Sequence, residues 1–324
     1  MQVMKRVATV LFSALALALP GVVYAQAYPA KPVHVTIGFP PGSSTDIIGR
    51  VMTQKLSEFW SQPVLAENRG GAGGTIANAF VAKAAPDGYT LLVDSSAHSV
   101  SPAIYAKLPY DTVKDFVDIA PLAGQPNVLV AYPGLATRSA ADLVADAKAR
   151  PGKINFASAG VGSGTHLNLE KFKLMTGADV THIPYKGTQE AITDLLGGRV
   201  DYFFAPLTAA LPHIREGKLR AIAVSSGRRS GSLPDVPTVA ESGVPGFEFT
   251  LWFGVWGPAG MPADVVDKVS KDVNRALTDP GVRERLAKMG YDPMNMTPAE
   301  FSQFVRREIE DSARVIKAAG IKPQ

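Results

Sequence analysis

The 324-residue chain contains no cysteine. That one absence excludes disulfides, thiolate metal sites, a cysteine nucleophile and a lipid-modified cysteine. Charge is sparse, at 19% of residues, and no dense run of Lys or Arg offers a footprint for nucleic acid. Beyond the N-terminus, no stretch approaches the ~20 uninterrupted apolar residues of a membrane span. The histidines, His34, His98, His166, His182 and His213, have no i,i+3 or i,i+4 spacing, so no helix face carries a metal-ligating pair and no metal site is expected. Gly70-Gly71-Ala72-Gly73-Gly74-Thr75 lacks the Gly-Lys-Ser/Thr of a P-loop and the spacing of a dinucleotide fingerprint, so no cofactor is implied. Ser163 sits in Gly162-Ser163-Gly164, but Val161 stands where a nucleophile elbow needs glycine. A secreted hydrolase pairing Ser163 with His166 stays open as a lesser alternative, but it would need a third group to orient the imidazole, and a spacing of three residues at a helix start is a poor geometry for the pair. The chain does not read as an enzyme.

At the N-terminus, Lys5 and Arg6 precede a short apolar run, Val7 to Leu19, and then Val23 and Ala25 at −3 and −1 of a small-residue cleavage site. This pattern predicts a signal peptide over 1–25, cleaved after Ala25, and an exported, periplasmic mature chain starting at Gln26. Without Lys5 and Arg6, 31 basic side chains face 29 acidic ones, so the mature net charge is +2 and charge names no partner. A disulfide-free exported chain must be held by its core, and about 300 residues allow two domains.

What is present is a repeated device. The apolar run Val33 to Phe39 leads through Pro40-Pro41-Gly42-Ser43-Ser44-Thr45-Asp46 into a helical pattern of Ile47, Ile48, Val51, Met52, Leu56 and Trp60. Ser43 with Asp46 three residues on resembles a capping box. Strand, small-residue loop and helix start together leave backbone N–H groups for an anion, although the same residues could serve capping alone. More than a hundred residues later, the strand Ile154 to Ala157 runs into Ser158-Ala159-Gly160-Val161-Gly162-Ser163-Gly164-Thr165-His166 and another helix. Two such units predict two lobes, each presenting a helix start to a shared cleft. The strand Thr90 to Val93 ends in a polar cluster, which makes Ser95, Ser96 and His98 candidates at a strand's carboxyl end, with a plain surface loop the heavier reading for His98. Asn127 to Tyr132, Asp201 to Ala205, Leu219 to Val224 and Phe249 to Trp256 read as further strands, and Ser232 to Phe247 as a long irregular connection. The C-terminal part reads as helical, with Thr297-Pro298-Ala299-Glu300 as a helix start.

Several segments carry a resemblance: Glu67-Asn68-Arg69-Gly70-Gly71-Ala72-Gly73-Gly74, Ala82-Lys83-Ala84-Ala85-Pro86-Asp87-Gly88-Tyr89-Thr90-Leu91-Leu92, His182-Ile183-Pro184-Tyr185-Lys186-Gly187, Asp194-Leu195-Leu196-Gly197-Gly198 and Asp235-Val236-Pro237-Thr238-Val239-Ala240-Glu241-Ser242-Gly243. Over essentially the whole mature chain the sequence resembles the Bug family, the TctC-like periplasmic solute-binding proteins of tripartite tricarboxylate transporters. The resemblance implies an α/β, two-lobed periplasmic-binding-protein fold of type II that closes like a clamshell, with lobe 1 at 26–126 plus 250–324 and lobe 2 at 127–249. It implies a monomer that captures a small-molecule carboxylate and hands it to membrane transporter subunits; a receptor for a membrane sensor kinase is the alternative. The carboxylate would be held by backbone N–H groups of Gly42 to Asp46 and Ser158 to His166. The candidate ligand residues are therefore Phe39, Gly42, Ser43, Ser44, Asp46, Ser95, Ser96, Ser158, Ala159, Gly160, Ser163, Thr165, His166 and Phe204. Two departures stand out. Ser43 replaces the second glycine of the family's P-G-G-x-x-D loop, which would change the contact if that glycine serves a positive φ or a close approach. Phe204-Ala205 replaces a polar strand end, which leans towards an aromatic or apolar carboxylate.

Overall fold

Val33–Ile37 forms β1, a β-branched run with four of five residues buried, as an inner strand requires. In the computed structural model, which describes residues 28–321 and 323, the predicted signal segment lies outside the described residues. The chain leaves β1 through Gly38–Ser43 and enters α1, Ser44–Trp60, which lays Ile48, Val51, Met52 and Leu56 on the core. β2, Val64–Asn68, then pairs parallel to β1. The same plan recurs in β5, Asn155–Ser158, α5, Gly164–Thr176, and β6, Thr181–Pro184, again with parallel pairing. In both units the helix begins at the carboxyl end of its strand, where ligands bind in open α/β sheets.

Between the units run α2, Thr75–Val81, β3, Thr90–Ser95, α3, Ala97–Ile104, and β4, Phe116–Ala131, followed by α4, Ala140–Ala149. After β6 come α6, Thr188–Leu196, β7, Tyr202–Pro206, α7, Leu207–Arg215, β8, Arg220–Val224, and β9, Thr250–Pro258. The predicted irregular stretch holds, since no helix or named strand lies between β8 and β9. The chain ends in α8, Ala263–Thr278, α9, Pro280–Lys288, the short β10, Asp292–Pro293, and α10, Pro298–Ala318. α10 starts with the expected capping box of Thr297 and Glu300, with Pro298 at its first position.

β4 organises the sheet. It pairs antiparallel with β9 from Phe116 to Pro126, with β7 from Asn127 to Ala131 and with β8 from Val128 to Ala131. The resulting order is β2-β1-β3-β9-β4-β7-β5-β6, with β8 and β10 also on β4. The sequence pattern predicts this strand only from Asn127, because Pro121, Gly124 and Pro126 interrupt the first half. The structure absorbs them with irregularities between Asp118 and Ala120 and between Pro121 and Ala123. α3 and α7 also escape the pattern, each carrying an internal proline, Pro102 and Pro212.

Phe204 belongs to the packing. It is fully buried among Phe156, Phe172 and Phe247, with ring centroids 5.4, 5.5 and 6.0 Å away. Strand alternation explains this: Tyr202 and Phe204 face one core cluster while Phe203 and Ala205 face the other. Phe204→Leu is expected to cost about 1 kcal/mol in urea unfolding and to leave solute affinity unchanged. A changed affinity would return Phe204 to the site.

Candidate functional site

The two strand–helix loops are built alike. Ser43 caps α1 at φ −69°, ψ 160°, and its Oγ accepts from the Asp46 N–H at 3.2 Å. Ser163 caps α5 at φ −69°, ψ 158°, and its Oγ accepts from the His166 N–H at 3.2 Å. The residue before each cap is a glycine at positive φ, Gly42 at 77° and Gly162 at 79°. Each of these glycines donates its N–H four residues ahead, Gly42 to Asp46 Oδ2 at 2.9 Å and Gly162 to His166 Nδ1 at 3.3 Å. Asp46 and His166 therefore play matching parts: they shape their loops from below. Asp46 does not close the capping box on Ser43, because its second oxygen accepts from Arg50 Nε at 2.7 Å and Asn68 Nδ2 at 2.8 Å. Position 43 needs no positive φ, so serine fits without strain and its hydroxyl caps the helix.

A donor-by-donor accounting identifies which N–H groups face a ligand. Ser43 donates to Pro40 O at 3.2 Å and Ser163 to Gly160 O at 3.1 Å. Ala159 donates to Thr165 Oγ1 at 2.9 Å and Gly160 to Ser158 Oγ at 3.2 Å. The N–H groups of Gly42, Ala159, Gly160 and Ser163, expected as carboxylate donors, are thus already engaged within the loops. Among the described residues, those of Ser44 and Thr45 on α1 and of Gly164 and Thr165 on α5 have no protein partner. All four of these residues line one cavity of about 20 Å³, together with Phe39, Ser43, Ser95, Ala159 and Ser163. Thr188, Pro206 and Leu251 complete its wall. No charged side chain is in that lining. Its positive character comes from two helix starts aimed at the same point, and the Asp46 charge beneath is paired with Arg50.

The other predicted residues stand behind this wall. Ser158 Oγ meets His182 Nε2 at 2.6 Å, and His182 stacks on His166 with centroids 4.3 Å apart. Burial, assisted by His166, pushes His182 down to about 3. Ser163 Oγ bonds the backbone of His166, and the imidazole Nδ1 is occupied by Gly162, so no nucleophile–base pair exists there. Ser96 is buried, and a Cβ placed on Gly164 would come within 2.7 Å of its Oγ. His98 is a correction: it lies on α3 in the core, 4.5 Å from the Trp256 ring and 4.9 Å from Phe116, with Nδ1 2.5 Å from Asn78 Oδ1. Burial pushes it down to about 3. Phe204 lies outside the cavity, and the lean towards an aromatic solute loses its residue.

Four hydrogen bonds fasten this region. Ser44 Oγ meets Thr208 Oγ1 at 2.6 Å, Gln189 Nε2 donates to Gly42 O at 2.8 Å, Tyr105 OH to Val161 O at 3.0 Å, and Tyr291 OH to Ser44 O at 2.7 Å. Thr45 and Gly164 fall inside the two expected loop ranges, Gly42 to Asp46 and Ser158 to His166, although neither is named among the individual candidate residues. Thr188, Pro206, Leu251, Thr208, Gln189, Tyr105 and Tyr291 carry no local signal, since long-range folding brings them in.

The cavity thus presents unpartnered backbone N–H groups from two helix starts and no charged side chain. The family model described as tripartite tricarboxylate transporter family receptor matches residues 48–321. The chain is 41% identical over 302 residues to protein BugT of Bordetella pertussis, covering 93% of each chain. Its structure is similar to that of an R. palustris protein solved with adipate, at TM-score 0.88 and 34% identity, covering 92% of this chain and all of that one. It is also similar to MatC of Rhodopseudomonas palustris with bound malate, at TM-score 0.84 and 34% identity, covering 89% of this chain and 100% of that one. The relatives are solute-binding proteins and not enzymes. The chain belongs to the tripartite tricarboxylate transporter receptor family and has its two-lobed, clamshell α/β fold.

Proposed function

We propose that this receptor captures a small carboxylate-bearing solute, with one carboxylate seated between the starts of α1 and α5. The observation that carries the reading is the set of four unpartnered N–H groups, two from each helix, lining one uncharged cavity. An anion there completes the helix ends, and donors to a charged acceptor make strong hydrogen bonds. Receptors of this family bind small carboxylates and work with transporter subunits, and the chain serves the same delivery as a monomer exported by its N-terminal segment and cleaved after Ala25. Lobe 1 comprises 26–126 and 250–324 and lobe 2 comprises 127–249; the change of partner along β4 between Pro126 and Asn127 supports that division. Opening exposes the cavity, and closure is favoured by contacts that only the liganded, closed state makes. Thermal-shift and calorimetric titration with succinate, malate and adipate, each beside its dimethyl ester, tests the reading. The acids should raise the melting temperature and the esters should not. No response to any acid, or an equal response to the esters, overturns it.

A further inference from the structure

Beside the cavity wall lie two wholly buried side-chain amides that have no hydrogen-bond partner among the described residues. Both the nitrogen and the oxygen of Gln125, and both of Asn127, lack a hydrogen-bond partner, and neither residue is exposed at all. Buried amides are almost always paired, so two adjacent exceptions call for a physical reason. Their place in the sheet supplies one. Gln125 stands directly opposite Leu251 in the β4–β9 ladder, and Asn127 directly opposite Pro206 in the β4–β7 ladder. Residues directly opposite in an antiparallel ladder share a face, and Leu251 and Pro206 both line the cavity. The amides therefore lie on the cavity's side of β4. Ser96 Oγ and the amide of Asn168 are likewise buried and unpartnered. Gly164, whose added Cβ would touch both Ser96 Oγ and Leu251, ties Ser96 to the same wall, and Asn168 follows one turn later on the same helix face.

We infer that Gln125 and Asn127 are specificity-determining residues that receive the far end of the solute. This rests on the carboxylate reading above. The helix starts take one carboxylate, and the two amides, on the strand that crosses between the halves of the sheet, take a second oxygen-bearing group. Each amide offers donors and an acceptor without a charge. The solute class is a short dicarboxylate or hydroxy acid, discriminated from the monocarboxylate of equal length. Such discrimination is strong because the analogue lacking the second group leaves the buried amides unpaired. The cavity of about 20 Å³ holds little more than one water, so Leu251 and Pro206 shift when the solute enters, which opens the cavity towards the amides beside them.

The test is calorimetry on the mature protein with two probe pairs, succinate against butyrate and adipate against hexanoate. The wild type is expected to prefer the diacid of at least one pair by 10-fold or more. Gln125→Met and Asn127→Leu, which remove the amides at similar volume, should each cut that preference by about 10-fold while monoacid affinity stays within about 3-fold. Melting temperatures check folding; should Asn127→Leu not fold, Asn127→Ser carries the same comparison. An equal loss for both members of a pair, or an unchanged preference, assigns the amides to the scaffold and overturns the inference. A wild type that binds none of these four acids and no malate overturns the carboxylate reading itself, and this inference with it.

Discussion

Ser44→Pro is expected to weaken carboxylate binding by roughly 10- to 100-fold, the worth of one hydrogen bond to a charged acceptor, about 1.5–3 kcal/mol. The position allows proline with little harm. Ser44 is the first residue of α1, where proline's fixed φ suits the helix and its missing N–H breaks no intrahelical bond. Ser43 at φ −69°, ψ 160° already holds the extended conformation that a following proline demands. The carbonyl of Ser44 still accepts from Tyr291 OH. Ser44→Ala is the control, because it loses the hydroxyl contact with Thr208 but keeps the N–H; its affinity should fall less than about 5-fold, one hydrogen bond between two neutral hydroxyls being worth about 1 kcal/mol. Calorimetry with the tightest of the proposed acids reads both variants. Equal affinities for Ser44→Pro and Ser44→Ala would remove that N–H from the site. The equivalent change at Ser163 is a poor test, because its N–H already serves Gly160 O. Gly164 is poor as well, because an added Cβ would lie 2.5 Å from Leu251 Cδ1.

The two loops were legible in the sequence because their signals are local. A cap serine, a preceding glycine and a strand before them are set by neighbours within four residues, and both loops fold as that pattern implies. Which N–H groups remain for a ligand was not legible, since it depends on where Asp46 and His166 send their side chains. Both turn back under their own loop and engage the glycine N–H groups that the sequence reading assigned to the solute. Phe204 failed for a different reason. A strand's end can be read from sequence, but which face of it looks into a cleft depends on the register with β4 and β5. The first half of β4 was hidden by its prolines, although it carries Gln125 next to Pro126, at the point where the strand changes partners. The residues that close the cavity from afar, Thr208, Gln189 and Tyr291, are ordinary in sequence and take their roles only from topology.

Beneath the cavity, Asp94 and His98 give the protein two opposed responses to pH. Asp94 is fully buried at the end of β3; Ser95 N–H donates to its Oδ1 at 2.7 Å and Asn78 Nδ2 to its Oδ2 at 2.6 Å. A Cβ on Gly38 would approach its Oδ1 to 2.7 Å, which shows how closely the backbone covers it. Burial outweighs those hydrogen bonds and pushes the carboxyl from 3.8 up to about 7. The folded state therefore binds the proton more tightly than the unfolded state between these values, and stability falls as pH rises through that window. Between pH 5 and pH 8 this amounts to about 2–3 kcal/mol. His98 is joined to Asp94 through Asn78, and burial lowers it from 6.5 to about 3. Its neutral form is the folded one, so its contribution is lost as pH falls below 6.5, about 2 kcal/mol by pH 5. In the wild type these two slopes largely cancel. Asp94→Asn removes one of them. It loses a hydrogen bond at every pH, because its amide nitrogen faces Asn78 Nδ2, but that penalty is constant. The gap in unfolding free energy between variant and wild type is therefore expected to move by about 2–3 kcal/mol in the variant's favour from pH 5 to pH 8. Urea unfolding of both proteins at pH 5, 6, 7 and 8 measures that gap. Other titrating groups drop out of the difference, so a gap that stays constant across the series would mean that Asp94 keeps an ordinary carboxylate's affinity for its proton in the fold, and the burial argument for this cluster would be wrong.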